Sequence, residues 1–312
     1  MEFKKRTLFY LRKQSVDEIN KYYRELRKYE YVNGIELTGI ELRKKIHKLL
    51  LTILKIDRIL KKENIIILND DRKLHDKPVI FAATHIGGND IERVFEAIVE
   101  HAYIMLGDPG IVYVNEIGLL LSLNGYIPLD TRDKFDRKIA YNRSIEILNK
   151  GCNLLIFPEG AYNVFENLPV MKIYPGAVRM ARETGCEIIP LAIEQYDNNF
   201  WINIGRNISV PKHMQITEAN EMLRDVLVTL KWQIWEQQEM VDRASYTQSY
   251  IDNFRQSIVD RDDYGDYVYT LQDIYDTMYH SKSDVSEEEV FSCLDNVEIN
   301  QKNAFVLTLK NK

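Results

Sequence analysis

The sequence predicts an α/β protein: a mixed, largely parallel sheet flanked by helices, with an N-terminal helical pair and a C-terminal, mainly helical extension. Three observations carry this. Short apolar or β-branched runs at 64–68, 79–83, 102–106, 153–157 and 188–193 alternate with helical patterns across roughly 64–210. The run Val79-Ile80-Phe81-Ala82-Ala83 is apolar without a break, the pattern of a strand buried on both faces. That run stops at Thr84-His85, passes Gly87 and Gly88, and enters an amphipathic helix at Asp90. Such strand-to-helix turns form the edge of an open α/β sheet where ligands bind.

Three regions follow: a basic helical arm over 1–62, the α/β domain over 63–212, and the helical extension over 213–312. The 312 residues are 45% hydrophobic, enough for a packed core. No stretch approaches the ~20 apolar residues of a membrane span. The basic N-terminus lacks the apolar region and cleavage site of a signal peptide. Cys152, Cys186 and Cys293 are too widely spaced for a metal motif or a disulfide framework. The expected location is therefore cytoplasmic, with peripheral contact on the inner membrane face through residues 38–62.

Net charge is −6, and it is uneven. Residues 1–62 hold 17 Lys and Arg against 8 Asp and Glu, whereas the remainder holds 24 against 39. An acidic body argues against nucleic acid as a partner, while the arm suits an anionic surface. The arm reads as helices at 16–30 and 38–62, separated by a Val32-Asn33-Gly34 turn. In the second helix, Leu42, Ile46, Leu49, Leu50, Ile53, Ile56 and Leu60 form one apolar stripe among lysines. The stripe suits a bilayer surface. It equally suits packing on the domain with the lysines solvated.

Within the domain, the turn at Gly87-Gly88 can bring Asp90 back to His85. A carboxylate on one imidazole nitrogen fixes the tautomer and leaves the other nitrogen as a base. The plain alternative is that Asp90 caps its helix and His85 is a loop residue. His101 reads as a helix-end residue. A helix at 113–123 ends at Asn124-Gly125, and an extended segment over 125–132 ends in charges. Asp133 caps a helix carrying Phe135, Ile139, Ile145 and Leu148. The strand at 153–157 meets Pro158-Glu159-Gly160, so Glu159 sits on a rigid bend at a strand end. Helices follow at 176–184 and 217–239, the second with Leu223, Val226, Leu227, Leu230 and Ile234 as its core stripe. The tail should hold helices at 247–260 and 270–280. Its tyrosines (Tyr246, Tyr250, Tyr264, Tyr267, Tyr269, Tyr275, Tyr279) read as packing residues.

Four blocks now stand in order: His85-x4-Asp90, Gly125-x-Ile127-Pro128-Leu129-Asp130, Phe157-Pro158-Glu159-Gly160 and Ile189-Pro190-Leu191-Ala192. Together they resemble the four motifs of the glycerolphosphate/lysophosphatidate acyltransferase superfamily, over roughly residues 65–210. The resemblance implies an acyltransferase that moves a fatty acyl group from acyl-CoA or acyl carrier protein to a hydroxyl or amine, with a lysophospholipid as the leading acceptor. It implies His85 as general base, Asp90 as its orienter, and direct attack without an acyl-enzyme. Pro158, Glu159 and Gly160 would belong to the acceptor-binding block, with Arg132 and Lys172 as nearby bases. No metal and no resident cofactor are implied; the acyl thioester is a co-substrate.

The sequence also departs from the pattern. Thr131 follows Asp130 where the family usually has arginine, and Arg132 comes one residue late. Ala161-Tyr162 follow Gly160 in place of Thr/Ser and Arg, and Tyr174-Pro175 precede Gly176 where bases are usual. Those bases would grip an acceptor phosphate. Arg132, Lys172 and Arg143 are the candidates to compensate. A non-phosphorylated acceptor (an amino acid, a sugar or another lipid), a non-catalytic acyl-lipid-binding module and a thioester hydrolase are the competing expectations.

Overall fold

The computed structural model describes residues 3–107, 110–239, 248–261 and 270–280, with 298 and 300. Tyr246, Tyr264, Tyr267, Tyr269 and Cys293 lie outside the described residues. The arm comprises α1 (Leu8–Leu11), α2 (Val16–Val32) and α3 (Ile40–Leu60). Then come β1 (Asn64–Asp70), β2 (Val79–Ala83), α4 (Asp90–Ile98), β3 (Ala102–Gly107), α5 (Glu116–Asn124) and β4 (Tyr126–Leu129). The remainder is α6 (Lys134–Asn149), β5 (Asn153–Ile156), α7 (Gly176–Thr184), β6 (Glu187–Tyr196), β7 (Asn199–Ile204), α8 (Ile216–Trp235), α9 (Gln248–Val259) and α10 (Leu271–Thr277). The chain divides into two units, Met1–Tyr279 and His280–Lys312, and all these elements belong to the first.

The seven strands lie in the order β1-β7-β6-β2-β5-β3-β4, with every neighbouring pair parallel except β6 and β7. The expected mixed, largely parallel sheet is thus observed. All five residues of β2 are buried, because helices cover both faces. Ile80 and Ala82 face a core shared with Ile147 of α6, Val178 of α7 and Leu223 of α8. Val79, Phe81 and Ala83 face the opposite core with Val94, Phe95 and Ile98 of α4. Period-two alternation therefore feeds two cores from one strand.

Three details differ from the expectations. β7 has no counterpart among the expected strands. It turns back at Asp197, which takes a φ of +50°, and inserts between β6 and β1. Its buried Phe200, Ile202 and Ile204 alternate as a strand should. Pairing with β7 also carries β1 through to Asp70, past the end of the 64–68 run. The helix expected at 113–123 is a 3-10 turn over Gly110–Tyr113 followed by α5.

Caps behave as the residue types dictate. Asp133 accepts from the N–H groups of Phe135 and Asp136 at the start of α6, and Ser15 and Glu18 form a capping box on α2. The apolar stripe of α3 splits. Leu50 is buried, and Leu51 and Leu54 pack on the α4 side, while Leu42, Leu49, Ile53, Ile56 and Leu60 are exposed. Leu49 keeps 63% of its surface and Leu60 76%, so packing on the domain does not account for the whole stripe. Arg93 fixes α3 against α4. It is fully buried and pairs with Asp57 (3.1 Å), Glu63 (2.6 Å) and Glu96 (2.6 Å). Three carboxylates around one guanidinium offset its desolvation. Among the described residues, no helix is long and apolar enough to cross a membrane.

Candidate active site

Thr84 makes the last sheet bonds of β2, to Leu191 and Ile193 of β6. Gly87 (φ +80°) and Gly88 (φ +62°) then reverse the chain in the left-handed region, where a side chain would strain the backbone. The reversal places Asp90 in the first turn of α4, against His85. Asp90 Oδ2 lies 2.8 Å from His85 Nδ1 and accepts from the N–H groups of Ile86 (2.7 Å) and Gly87 (2.9 Å). A carboxylate only accepts, so Nδ1 carries the proton and Nε2 keeps its lone pair. Asp90 is completely buried and His85 is 8% exposed. The Ile86 and Gly87 N–H groups are engaged by Asp90, so any oxyanion donors must come from elsewhere.

Two aromatic rings hold the imidazole. Phe157 stacks on it at 4.1 Å between centroids, and Tyr162 meets it edge-on at 4.4 Å. Neither contact follows from the four blocks; the only signal was two aromatics flanking Pro158-Glu159-Gly160. The blocks themselves meet through Glu159, which is fully buried. Its Oε1 accepts from the His85 N–H at 3.1 Å and its Oε2 from the Met171 N–H at 2.8 Å. Burial pushes its carboxyl up to about 7, against the pull of those N–H groups and of Lys231. Both oxygens are spent on backbone, so Glu159 braces the His85 and Met171 loops. Pro158 accepts from the Tyr174 N–H at 2.7 Å, and Gly160 takes a φ of +75° against the Tyr174 ring.

Two of the three candidate bases are taken up by ion pairs. Arg132 stands on the exposed turn before α6 and pairs with Asp276 of α10 at 3.3 Å. Lys172 is exposed, between buried Met171 and Ile173. Arg143 is occupied by Glu146 at 2.7 Å and by the Ile35 carbonyl. Asp130, from the second block, pairs with Arg24 of α2, which ties the arm to the end of β4.

A second histidine group lies between α3, α4 and α5. His47 Nδ1 is 2.7 Å from Asn124 Oδ1, and its Nε2 is 3.1 Å from the Val99 carbonyl. His101 Nε2 bonds the Asn124 carbonyl at 2.7 Å, and burial lowers its pKa to about 4, so it is neutral at physiological pH. Among the described residues, no group of His, Cys, Asp and Glu is arranged to hold a metal ion.

A buried strand ending in a histidine, with its carboxylate in the next helix and a glutamate tying the third block beneath it, brings the first and third blocks together at one edge of the sheet. The family model described as Acyltransferase matches residues 64–194. The chain is 26% identical over 118 residues to the chloroplast 1-acyl-sn-glycerol-3-phosphate acyltransferase BAT2 of Brassica napus, covering 38% of this chain and 33% of that protein. It is 24% identical over 146 residues to the 1-acyl-sn-glycerol-3-phosphate acyltransferase of Borreliella burgdorferi, covering 47% of this chain and 57% of that protein. The match therefore spans between a third and somewhat over half of these relatives' lengths. The crystal structure of the 1-acyl-sn-glycerophosphate acyltransferase PlsC from Thermotoga maritima superposes with a TM-score of 0.53 at 14% identity, covering 73% of this chain and 98% of that one, and shows the same fold. Over residues 64–194, about two fifths of the chain, the sequence is thus similar to acyltransferases of the glycerolphosphate acyltransferase superfamily, and the fold is that of the Thermotoga maritima structure.

Proposed function

We propose that this protein transfers a fatty acyl group from an acyl thioester, on coenzyme A or acyl carrier protein, to a lysophospholipid hydroxyl. The observation that carries this is the His85–Asp90 pair at 2.8 Å, which leaves Nε2 free to accept a proton. The acceptor oxygen attacks the thioester carbonyl carbon while its proton passes to Nε2. The tetrahedral intermediate then collapses, the C–S bond breaks, and the thiolate leaves as thiol with that proton. An ester and a free thiol result, with no electrons gained or lost. The names of the relatives support the lysophospholipid acceptor.

A second acceptor class has its own support. Tyr162 and Tyr174 stand where phosphate-gripping bases were expected, and Arg132 meets Asp276. A non-phosphorylated acceptor fits those facts better than a phosphate monoester. The exposed stripe of α3, bordered by Lys45, Lys48 and Lys55, supports peripheral docking on an anionic bilayer. Flotation with anionic vesicles should recover the protein, and Ile56→Glu should reduce recovery; equal recovery of both would exclude α3 as the contact.

The deciding experiment supplies long-chain acyl-CoA, then acyl carrier protein, with lysophosphatidate, lysophosphatidylcholine, glycerol 3-phosphate and amino acids in turn. Thiol release that requires one acceptor, with the acylated product seen by mass spectrometry, fixes the class. Release without any acceptor would show a hydrolase. No release with either donor would leave a binding module.

A further inference from the structure

The C-terminal extension lies outside the acyltransferase domain at 64–194, yet it is packed into the active site. Ile258 and Val259 of α9 and Ile274 of α10 are buried with Ala161, Tyr162, Val164 and Met171. That is the loop carrying Tyr162, whose ring touches His85, and Met171, whose N–H holds Glu159. Arg255 of α9 reaches Glu166 of the same loop at 3.6 Å. Tyr174 donates its hydroxyl to the Thr277 carbonyl at the end of α10, at 2.9 Å.

One contact goes further. The turn after α9 carries Arg261, whose stem lies across Gly88: a Cβ added to Gly88 would be 3.2 Å from Arg261 Cβ. Its Nη1 donates to the Ile86 carbonyl at 3.3 Å, the one acceptor it has among the described residues. The Ile86 carbonyl and the Gly87 N–H are the two ends of one peptide group. That N–H donates to Asp90 Oδ2, which holds His85 Nδ1. A cationic donor on the carbonyl polarises the peptide and strengthens the bond made by its N–H.

We propose that Arg261 is a positioning residue for the catalytic loop: acting through the Ile86–Gly87 peptide, it keeps Asp90 seated on His85, so that the C-terminal segment completes the site. The kinetic part of this rests on the acyl-transfer reading above. It does not require Arg261 to touch substrate, so its loss should lower kcat and leave KM in place.

The test compares the full-length wild type with Arg261→Gln and Arg261→Lys. In Arg261→Gln, kcat should fall about tenfold, the scale of one charge-assisted hydrogen bond, with KM for donor and acceptor and the melting temperature unchanged. Arg261→Lys, which retains a cationic donor, should recover most of kcat. Amide exchange read by mass spectrometry should quicken over 84–90 in Arg261→Gln and stay the same over 187–196. Wild-type kcat in Arg261→Gln, a rise in KM alone, or unchanged exchange over 84–90 would overturn the proposal. A wild type that acylates no acceptor would defeat the acyl-transfer reading, and exchange over 84–90 would still decide the Arg261 contact.

Discussion

His85 and His47 are both buried, and they differ at both ring nitrogens. His85 Nδ1 meets a carboxylate at 2.8 Å, whereas His47 Nδ1 meets the amide oxygen of Asn124 at 2.7 Å. His85 Nε2 has no hydrogen-bond partner among the described residues, whereas His47 Nε2 is taken by the Val99 carbonyl. His85 sits at the carboxyl end of β2, where the sheet opens; His47 sits between helices. The first arrangement can hold a developing positive charge beside Asp90. The second ties α3 to α5 and to the end of α4. A buried histidine is thus read through its partner and its place in the sheet, not through its burial.

Three changes would break or sharpen this contrast. Asp90→Asn should have the largest effect. An amide can donate to Nδ1, which would move the ring proton to Nε2 and remove the base. Turnover should fall by about a hundredfold or more, with the fold intact by circular dichroism. Turnover within threefold of wild type would refute the tautomer argument.

Glu159 comes next, as a carboxyl at the same edge with a structural task. Its pKa rises from 4.5 in the unfolded chain to about 7 in the folded one, through burial first. A raised carboxyl pKa means that the folded state holds the proton more tightly. Its contribution is therefore complete below pH 4.5 and is lost as pH rises through 7. At about 1.4 kcal/mol per tenfold in proton affinity, the span is worth about 3 kcal/mol. Denaturant unfolding at pH 5 and pH 8 should show wild type losing most of that amount relative to Glu159→Gln. Parallel pH profiles would show that Glu159 ionises alike in both states.

The smallest effect is expected at the second histidine. His47→Leu removes the imidazole from between Asn124 Oδ1 and the Val99 carbonyl and leaves a buried acceptor short of a donor, at a cost of about 2 kcal/mol. Its kcat should stay at the wild-type value. A fall in kcat with stability preserved would erase the distinction between the two centres.

How much was legible in the chain depends on distance along it. The strand at 79–83, the glycine turn and the His85–Asp90 pair lie within a dozen residues, so local pattern was enough. The Asp133 cap is equally local. Glu159 was visible on its bend, but its inward orientation depends on His85 and Met171, 74 and 12 residues away. β7 alternates visibly at Phe200, Ile202 and Ile204 and follows β6 directly, yet its place between β6 and β1 depends on β1, 135 residues away. The stripe of α3 could not be divided from periodicity, because a helix packed on a domain and a helix on a bilayer share one pattern. Arg132 and Arg261 meet Asp276 and Ile86 across 144 and 175 residues, and no spacing rule reaches that far.

The central claim is that His85 Nε2 takes the acceptor's proton. Acyl transfer to the acceptor that wild type uses should be measured for wild type and His85→Ala, both shown to be folded by their melting curves. The account predicts a loss of about a hundredfold to ten-thousandfold in kcat for His85→Ala. Transfer by folded His85→Ala within a few-fold of wild type would contradict it and place the base elsewhere.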